Sequence, residues 1–258
     1  MRTYVITGAA SGIGKATSEL LQERGHAVIG VDLKDSDVDA DLSTAEGRAA
    51  MVESVTEKSG GSIDAIIACA GLSTPTVATA KVNYYGAVGT LTGLRPLLAG
   101  SEAPRAVAIA SMASLFPPDD ELLHLFLDGA EEDAIARAAV LAANDQLSGQ
   151  IYGTSKRALA LWIRRHAARE EWAHAGIPLN AVAPGIIRTP MTKDLTATEE
   201  ATKALLEMVP MPLNGIADAI VVARLLAWLT SEENTHLCGQ VVFVDGGSDV
   251  IIRGESTW

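Results

Sequence analysis

The stretch Thr7-Gly8-Ala9-Ala10-Ser11-Gly12-Ile13-Gly14 constrains the fold more than any other part of this sequence. The run before it, Tyr4-Val5-Ile6, has the β-branched and aromatic character of a short buried strand. The run after it, Lys15 to Leu21, reads as a helix that stops at Arg24-Gly25. Glycine weakens regular structure, so Gly8, Gly12 and Gly14 mark a strand-to-helix turn where the backbone bends sharply or lets something approach closely. Two readings compete. One is a tight turn with close helix packing; the other is a cradle where unpaired backbone N–H groups and the positive end of the helix dipole meet an anion such as a pyrophosphate.

The following segment favours the cradle. His26 to Val31 reads as a second buried strand. It ends on Asp32 and Leu33, about 20 residues beyond the glycines, where an acid accepts hydrogen bonds from both hydroxyls of an adenosine ribose. A carboxylate there repels a 2′-phosphate and so favours NAD over NADP; Lys34 is a nearby cation that acts against this discrimination. Further strands are expected near 63–69, 105–111, 178–183 and 240–244, with helices near 12–25, 44–58, 82–98, 150–174 and 216–230. This alternation builds a parallel sheet covered on both faces. The expectation is a single α/β domain over 1–258, a doubly wound Rossmann fold. Two regions break the rhythm: an acidic, helix-prone insertion over 117–148, and a long connection over 191–214 rich in Met, Leu, Thr and Pro.

Composition narrows the partners. A net charge of −12 and a pI near 4.8, with no basic patch, argue against nucleic acid or anionic membrane. No charged-then-apolar leader and no membrane-length apolar run is apparent, so a cytoplasmic protein is expected. The only cysteines, Cys69 and Cys238, suit a reducing compartment better than a disulfide framework. The histidines show no metal-ligand spacing, and His166 and His174 read as surface groups on or after the helix that begins near residue 150.

The chemistry lies in "SGQIYGTSKRALALWIRR". Tyr152 and Lys156 are one helical turn apart on a common face. A phenol with a pKa of about 10 is a poor base at neutral pH, and a fixed ammonium nearby brings it towards working range. Taken alone, such a pair is most often a surface pair.

It does not stand alone. The glycine run, the Tyr152-Gly153-Thr154-Ser155-Lys156 segment and the serine closing "AVAIASMAS" together resemble the short-chain dehydrogenase/reductase family. The resemblance runs nearly end to end, through Asn83 in "VNYYG", "NAVAPGIIRTPM" and "GQVVFVDGG". It implies that Tyr152 is the general acid/base, that Lys156 holds the nicotinamide ribose and lowers the Tyr152 pKa, and that Ser111, in preference to Ser114, hydrogen-bonds the reacting oxygen. Asn83 would anchor a proton-returning water chain. For the cofactor, NAD, the resemblance implies Gly8, Ser11, Gly12, Ile13 and Gly14 at the pyrophosphate and Asp32 and Leu33 at the ribose. Asp41-Leu42 falls at the adenine, and Ala70-Gly71 after the third strand. Pro184, Gly185, Ile187 and Thr189 fall at the nicotinamide, Thr189 supplying a hydroxyl to its carboxamide. Asp41 equally fits the approach to a helix N-cap.

Two departures stand out. Cys69-Ala70-Gly71 replaces the family's usual Asn-Ala-Gly, and a cysteine cannot make the amide's strand-tying hydrogen bonds. Ser111 and Tyr152 lie about forty residues apart, far more than in most relatives, because of the insertion. Its Leu122, Leu123, Leu125, Phe126 and Leu127 are apolar enough to pack on the body or to wall a substrate pocket. With "DADLSTAEGR" and "VNYYGA", these features are similar to one branch of the family, the bacterial 3α-hydroxysteroid dehydrogenase/carbonyl reductases. That likeness implies an apolar secondary alcohol or ketone as substrate. The insertion should obstruct the family's usual four-helix contact, so a dimer through the last helix and strand is expected instead of a tetramer. The 191–214 connection reads either as an apolar lid or simply as residues that bury their own helix.

Overall fold

In the computed structural model, which describes residues 1–256, the apolar runs become strands. These are β1 (Thr3–Thr7), β2 (Ala27–Asp32), β3 (Val38–Asp39), β4 (Ala65–Ala68), β5 (Arg105–Ile109), β6 (Leu179–Pro184), β7 (Ile187–Arg188), β8 (Ala217–Asp218) and β9 (Val241–Val244). Seven of them form one sheet in the order β3-β2-β1-β4-β5-β6-β9, and β7 pairs with β8 separately. All the pairings are parallel. Strand β1 pairs with both β2 and β4, so the strand order reverses there and leaves a crevice at the carboxyl ends.

The helices are α1 (Gly12–Glu23), α2 (Ala45–Ser59), α3 (Val77–Ala80), α4 (Ala87–Leu94), α5 (Asp120–Leu127), α6 (Glu131–Ala142), α7 (Gln150–His166), α8 (Glu199–Met208), α9 (Ala219–Leu229) and α10 (Ser248–Arg253). Alternation along β1 shows why both sheet faces are covered. Tyr4 and Ile6 pack with Leu21 and Leu226 on the α1/α9 side, and Val5 packs with Met51, Leu91 and Leu159 on the other. Thr44 caps α2 by accepting the Gly47 N–H at 2.9 Å.

Two expected helices differ. The segment expected over 82–98 begins at Val77 and passes through a π-helical turn, Lys81–Gly86, before α4; it closes in a 3₁₀ turn, Arg95–Gly100, at Pro96. The helix expected to reach residue 174 ends at His166, although Glu170 to Ala173 are good helix formers. Tertiary packing overrides propensity there: the chain turns so that Trp172 is buried edge-on against Trp162. His166 is accordingly half-buried, stacked on the Trp162 ring at 4.3 Å, whereas His174 is exposed as expected.

The insertion forms α5 and α6. Leu122, Leu123 and Phe126 are buried in the core shared with α7, and Phe126 lies against the Tyr84 and Tyr85 rings at 4.6 and 5.6 Å. It packs on the body. Helix α8, in the 191–214 connection, contains no buried residue; only Val209 and Met211 at its root are buried.

Candidate active site

The crevice opens into a cleft of about 520 Å³ whose lining brings together Gly8, Ser11, Gly12, Ile13, Gly14, Asp32, Leu33, Asp41, Leu42, Ala70, Gly71, Ser111, Tyr152, Lys156, Pro184, Gly185, Ile187 and Thr189. These residues come from widely separated parts of the chain, and the sheet topology collects them at the carboxyl ends of its strands. Asn83 lies behind the wall. Among the described residues no helix is long and apolar enough to cross a membrane, and no cluster of potential metal ligands occurs.

One end of the cleft is built for a phosphate-bearing nucleotide. Gly8 has φ of 71°, and a Cβ there would stand 2.9 Å from the Ala70 Cα, so only glycine gives this turn. Ser11 caps α1 in extended conformation without a side-chain hydrogen bond, leaving the first-turn N–H groups facing the cleft. The Asp32 carboxylate is held in place by two backbone amides, Ala10 N–H at 2.9 Å and Leu33 N–H at 2.7 Å. Each oxygen keeps acceptor capacity for a diol. Asp41 accepts the Ser43 N–H at 2.9 Å, and its hydrogen bonds to Ser43 hold its carboxyl below the usual range. The N-cap of α2 falls to Thr44, so Asp41 borders the cleft without capping the helix. This cradle, carboxylate and cleft fit a nicotinamide dinucleotide.

The strand tie that Cys69 cannot make is supplied from β1. Thr7 Oγ1 accepts both the Cys69 and the Ala70 N–H at 3.0 Å. Burial pushes the Cys69 thiol up to about 12, so it stays neutral.

At the other end, Tyr152 and Ser111 line the cleft together, brought there by the packing of α7 against the turn that follows Ser111. Ser111 Oγ also accepts the Ala113 N–H at 3.1 Å, capping the 3₁₀ turn Met112–Leu115. Its own hydrogen is left to donate. Ser114 is buried in that turn and does not line the cleft. Lys156 is buried, and Nζ donates to the Ile109 carbonyl at 2.8 Å, with further donors available. Burial pulls Lys156 down to about 8. The expected lowering of Tyr152 by Lys156 is not what this arrangement produces. Burial dominates and raises the phenol, and the nearby Ser111 hydroxyl acts in the opposite direction. The lysine nitrogen is directed at Ile109, 6.0 Å from the tyrosine ring centroid.

Asn83 is fully buried on the π turn. Its Oδ1 accepts the Leu72 N–H at 2.8 Å, and Nδ2 donates to the Leu72 carbonyl at 2.9 Å and to Ser155 Oγ at 3.2 Å. The wider π turn carries the carboxamide inward. A Cβ on Gly71 would sit 3.2 Å from Asn83 Oδ1 and 3.3 Å from Lys156 Nζ, so any larger residue there crowds both groups. Thr189 lines the cleft with its N–H given to Thr192 Oγ1 at 3.2 Å. Sequence reasoning missed Thr7, Ser155 and the cleft-lining Leu72 and Val82, whereas Met191, the first apolar residue of the 191–214 connection, does line the cleft. Thr7 and Ser155 sit inside the recognised motifs, but Leu72 and Val82 carry no pattern of their own. No residue of the insertion lines the cleft.

A family model described as short chain dehydrogenase matches residues 2–122, and one described as Enoyl-(Acyl carrier protein) reductase matches residues 130–249. The chain is 36% identical over 257 residues to the 3-alpha-hydroxysteroid dehydrogenase/carbonyl reductase of Comamonas testosteroni, covering 98% of both chains. It is 30% identical over 265 residues to the cis-4-hydroxycyclohexanecarboxylate dehydrogenase of Sinomonas cyclohexanicum, covering 95% of this chain and 96% of the relative. Among solved structures it is similar to the 3-alpha-hydroxysteroid dehydrogenase from Pseudomonas sp. B-0831 complexed with NADH. That likeness has a TM-score of 0.89 and 35% identity, over 98% of this chain and 99% of the other.

Proposed function

The chain belongs to the short-chain dehydrogenase/reductase family, and from that premise we propose that it is an NAD(H)-dependent enzyme interconverting an apolar secondary alcohol and its ketone, of the 3α-hydroxysteroid dehydrogenase/carbonyl reductase kind. The observation that carries the reading is the convergence of Ser111, Tyr152 and Lys156 on the same cleft as the glycine cradle and Asp32. A nicotinamide dinucleotide, when bound, takes the hydride from the alcohol carbon or returns it to the ketone.

The chain's own residues do the rest. In oxidation Tyr152 takes the hydroxyl proton; in reduction it gives that proton to the developing alkoxide. Ser111 donates to the same oxygen, so two donors converge where negative charge develops. Lys156, anchored on Ile109, keeps further N–H donors for a ribose hydroxyl. Asn83 holds the Leu72 segment against α7 through Ser155 and so keeps that wall of the cleft in register. Asp32 sets the preference for NAD. Met191 of the lid segment offers apolar surface to the substrate. Neither nucleic acid nor membrane is needed, and the cytoplasm is the natural compartment.

A second reading, a smaller alicyclic or aryl alcohol as substrate, is favoured by the likeness to the cyclohexanecarboxylate enzyme. A binding protein without turnover is disfavoured, because Ser111, Tyr152 and Lys156 are all present and assembled. NADH formation followed at 340 nm decides, with a 3α-hydroxysteroid, a cyclic terpene alcohol, a 1-arylalkanol and an amino alcohol, each with NAD and with NADP. Strong steroid turnover with NAD is expected. Turnover confined to the smaller alcohols selects the second reading, and no turnover on any of them contradicts both.

A further inference from the structure

The insertion touches no part of the cleft, yet it is bonded to the catalytic helix at a telling place. Thr154 lies between Tyr152 and Lys156 on α7, fully buried, with its side chain on the opposite face. Its Oγ1 accepts the main-chain N–H of Asp119 at 2.9 Å. The Asp119 carboxylate caps α5 through the Leu122 N–H at 2.8 Å. It is also gripped by Arg137 of α6, Nε at 3.0 Å and Nη2 at 2.6 Å. Arg137 Nη1 also reaches Glu121 at 3.0 Å.

Only a short segment separates Asp119 from Ser111: the 3₁₀ turn Met112–Leu115, then Phe116-Pro117-Pro118. Two prolines fix φ at both positions, so this segment is a stiff strut. One end carries Ser111, which faces the cleft beside Tyr152; the other end is pinned to Thr154, two residues along the same helix. We propose that Asp119, Arg137 and Thr154 are positioning residues: the insertion clamps the strut onto α7 and thereby fixes the Ser111 hydroxyl against the Tyr152 phenol. Double bonding of the carboxylate to a guanidinium fork gives the anchor a defined orientation, which a single hydrogen bond would not. The insertion thus acts on the reaction from outside the cleft, by setting the distance between two groups within it.

This inference rests on the proposed alcohol/ketone chemistry, and its test separates the two. Thr154→Val removes the acceptor while keeping volume, and Thr154→Ser restores it. In the valine variant kcat falls about 10- to 100-fold while the Kd for NADH is unchanged. Because the Ser111 hydroxyl, whose influence lowers the Tyr152 pKa, is no longer held beside the phenol, the Tyr152 limb of log kcat against pH moves to higher pH. The other titratable groups lining the cleft, Asp32, Asp41, Cys69 and Lys156, are left in place by the substitution. Serine recovers rate and pH limb, and Arg137→Ala reproduces the valine phenotype. A valine variant with wild-type kcat and pH limb overturns the inference. So does one in which kcat, NADH affinity and melting temperature fall together without recovery by serine. If the wild-type protein turns over no alcohol, the functional reading fails and the clamp is read by ultraviolet titration of the Tyr152 phenol against a Tyr152→Phe reference. An upward shift in Thr154→Val sustains it and an unshifted titration overturns it.

Discussion

Lys156 is a buried cation in the cleft, and burial penalises its charged form. Burial lowers it from 10.5 to about 8, so between those values the unfolded chain binds a proton that the folded chain does not. Stability therefore rises with pH across that window, by up to roughly 3 kcal/mol. Below about pH 8 both states are protonated and the penalty stays constant. Lys156→Met has no such group, so the stability of the wild type relative to this variant increases from pH 8 to about 10.5. Denaturant titrations of both proteins across that range check it, and a flat difference would contradict it. Asp32 is the other residue whose charge decides something. Asp32→Ala removes a charged acceptor for the ribose diol, and kcat/KM with NAD falls about 10- to 100-fold while the NADP/NAD ratio rises. Measuring both cofactors side by side tests this, and an unchanged ratio would place the discrimination elsewhere.

Elements differ in how well the sequence announces them. The strands are legible because both sheet faces are buried and the runs are short, apolar and β-branched; β1 and β2 fall within a residue of where they are expected. The cradle is legible because glycine has few other reasons to recur at a strand-to-helix turn. The π turn at Asn83 was not legible, since its hydrogen bonds to Leu72 are long-range and leave no local periodicity. The early end of α7 was hidden for the same reason: Trp172 turns inward against a ring on the preceding helix. The placement of the insertion was open, as its leucines suit a pocket wall and a packed helix equally. For α8 we propose a lid, because a helix with no buried residue is held by little. Trypsin is expected to cut first at the exposed Lys193 and Lys203, and NADH to slow those cuts. First cleavage within α5 or α6 would contradict this.

The molecule as a whole presents two different flanks. On one, α5 and α6 cover the region of Tyr84, Tyr85 and α7; on the other, β9 forms the sheet edge and α10 exposes Val250 and Ile251. We propose assembly through the second flank into a dimer. Light scattering should give twice the 26.9 kDa chain mass, and a mass of four chains would contradict it. The central claim is that this fold holds a working dehydrogenase whose proton is moved by Tyr152, and one comparison tests it most directly. Steady-state NADH formation from the best alcohol is measured for the wild type and for Tyr152→Phe, with NADH binding measured on both. The account predicts a loss of about 10²- to 10⁴-fold in kcat with NADH affinity retained. Undiminished turnover in the phenylalanine variant would contradict it.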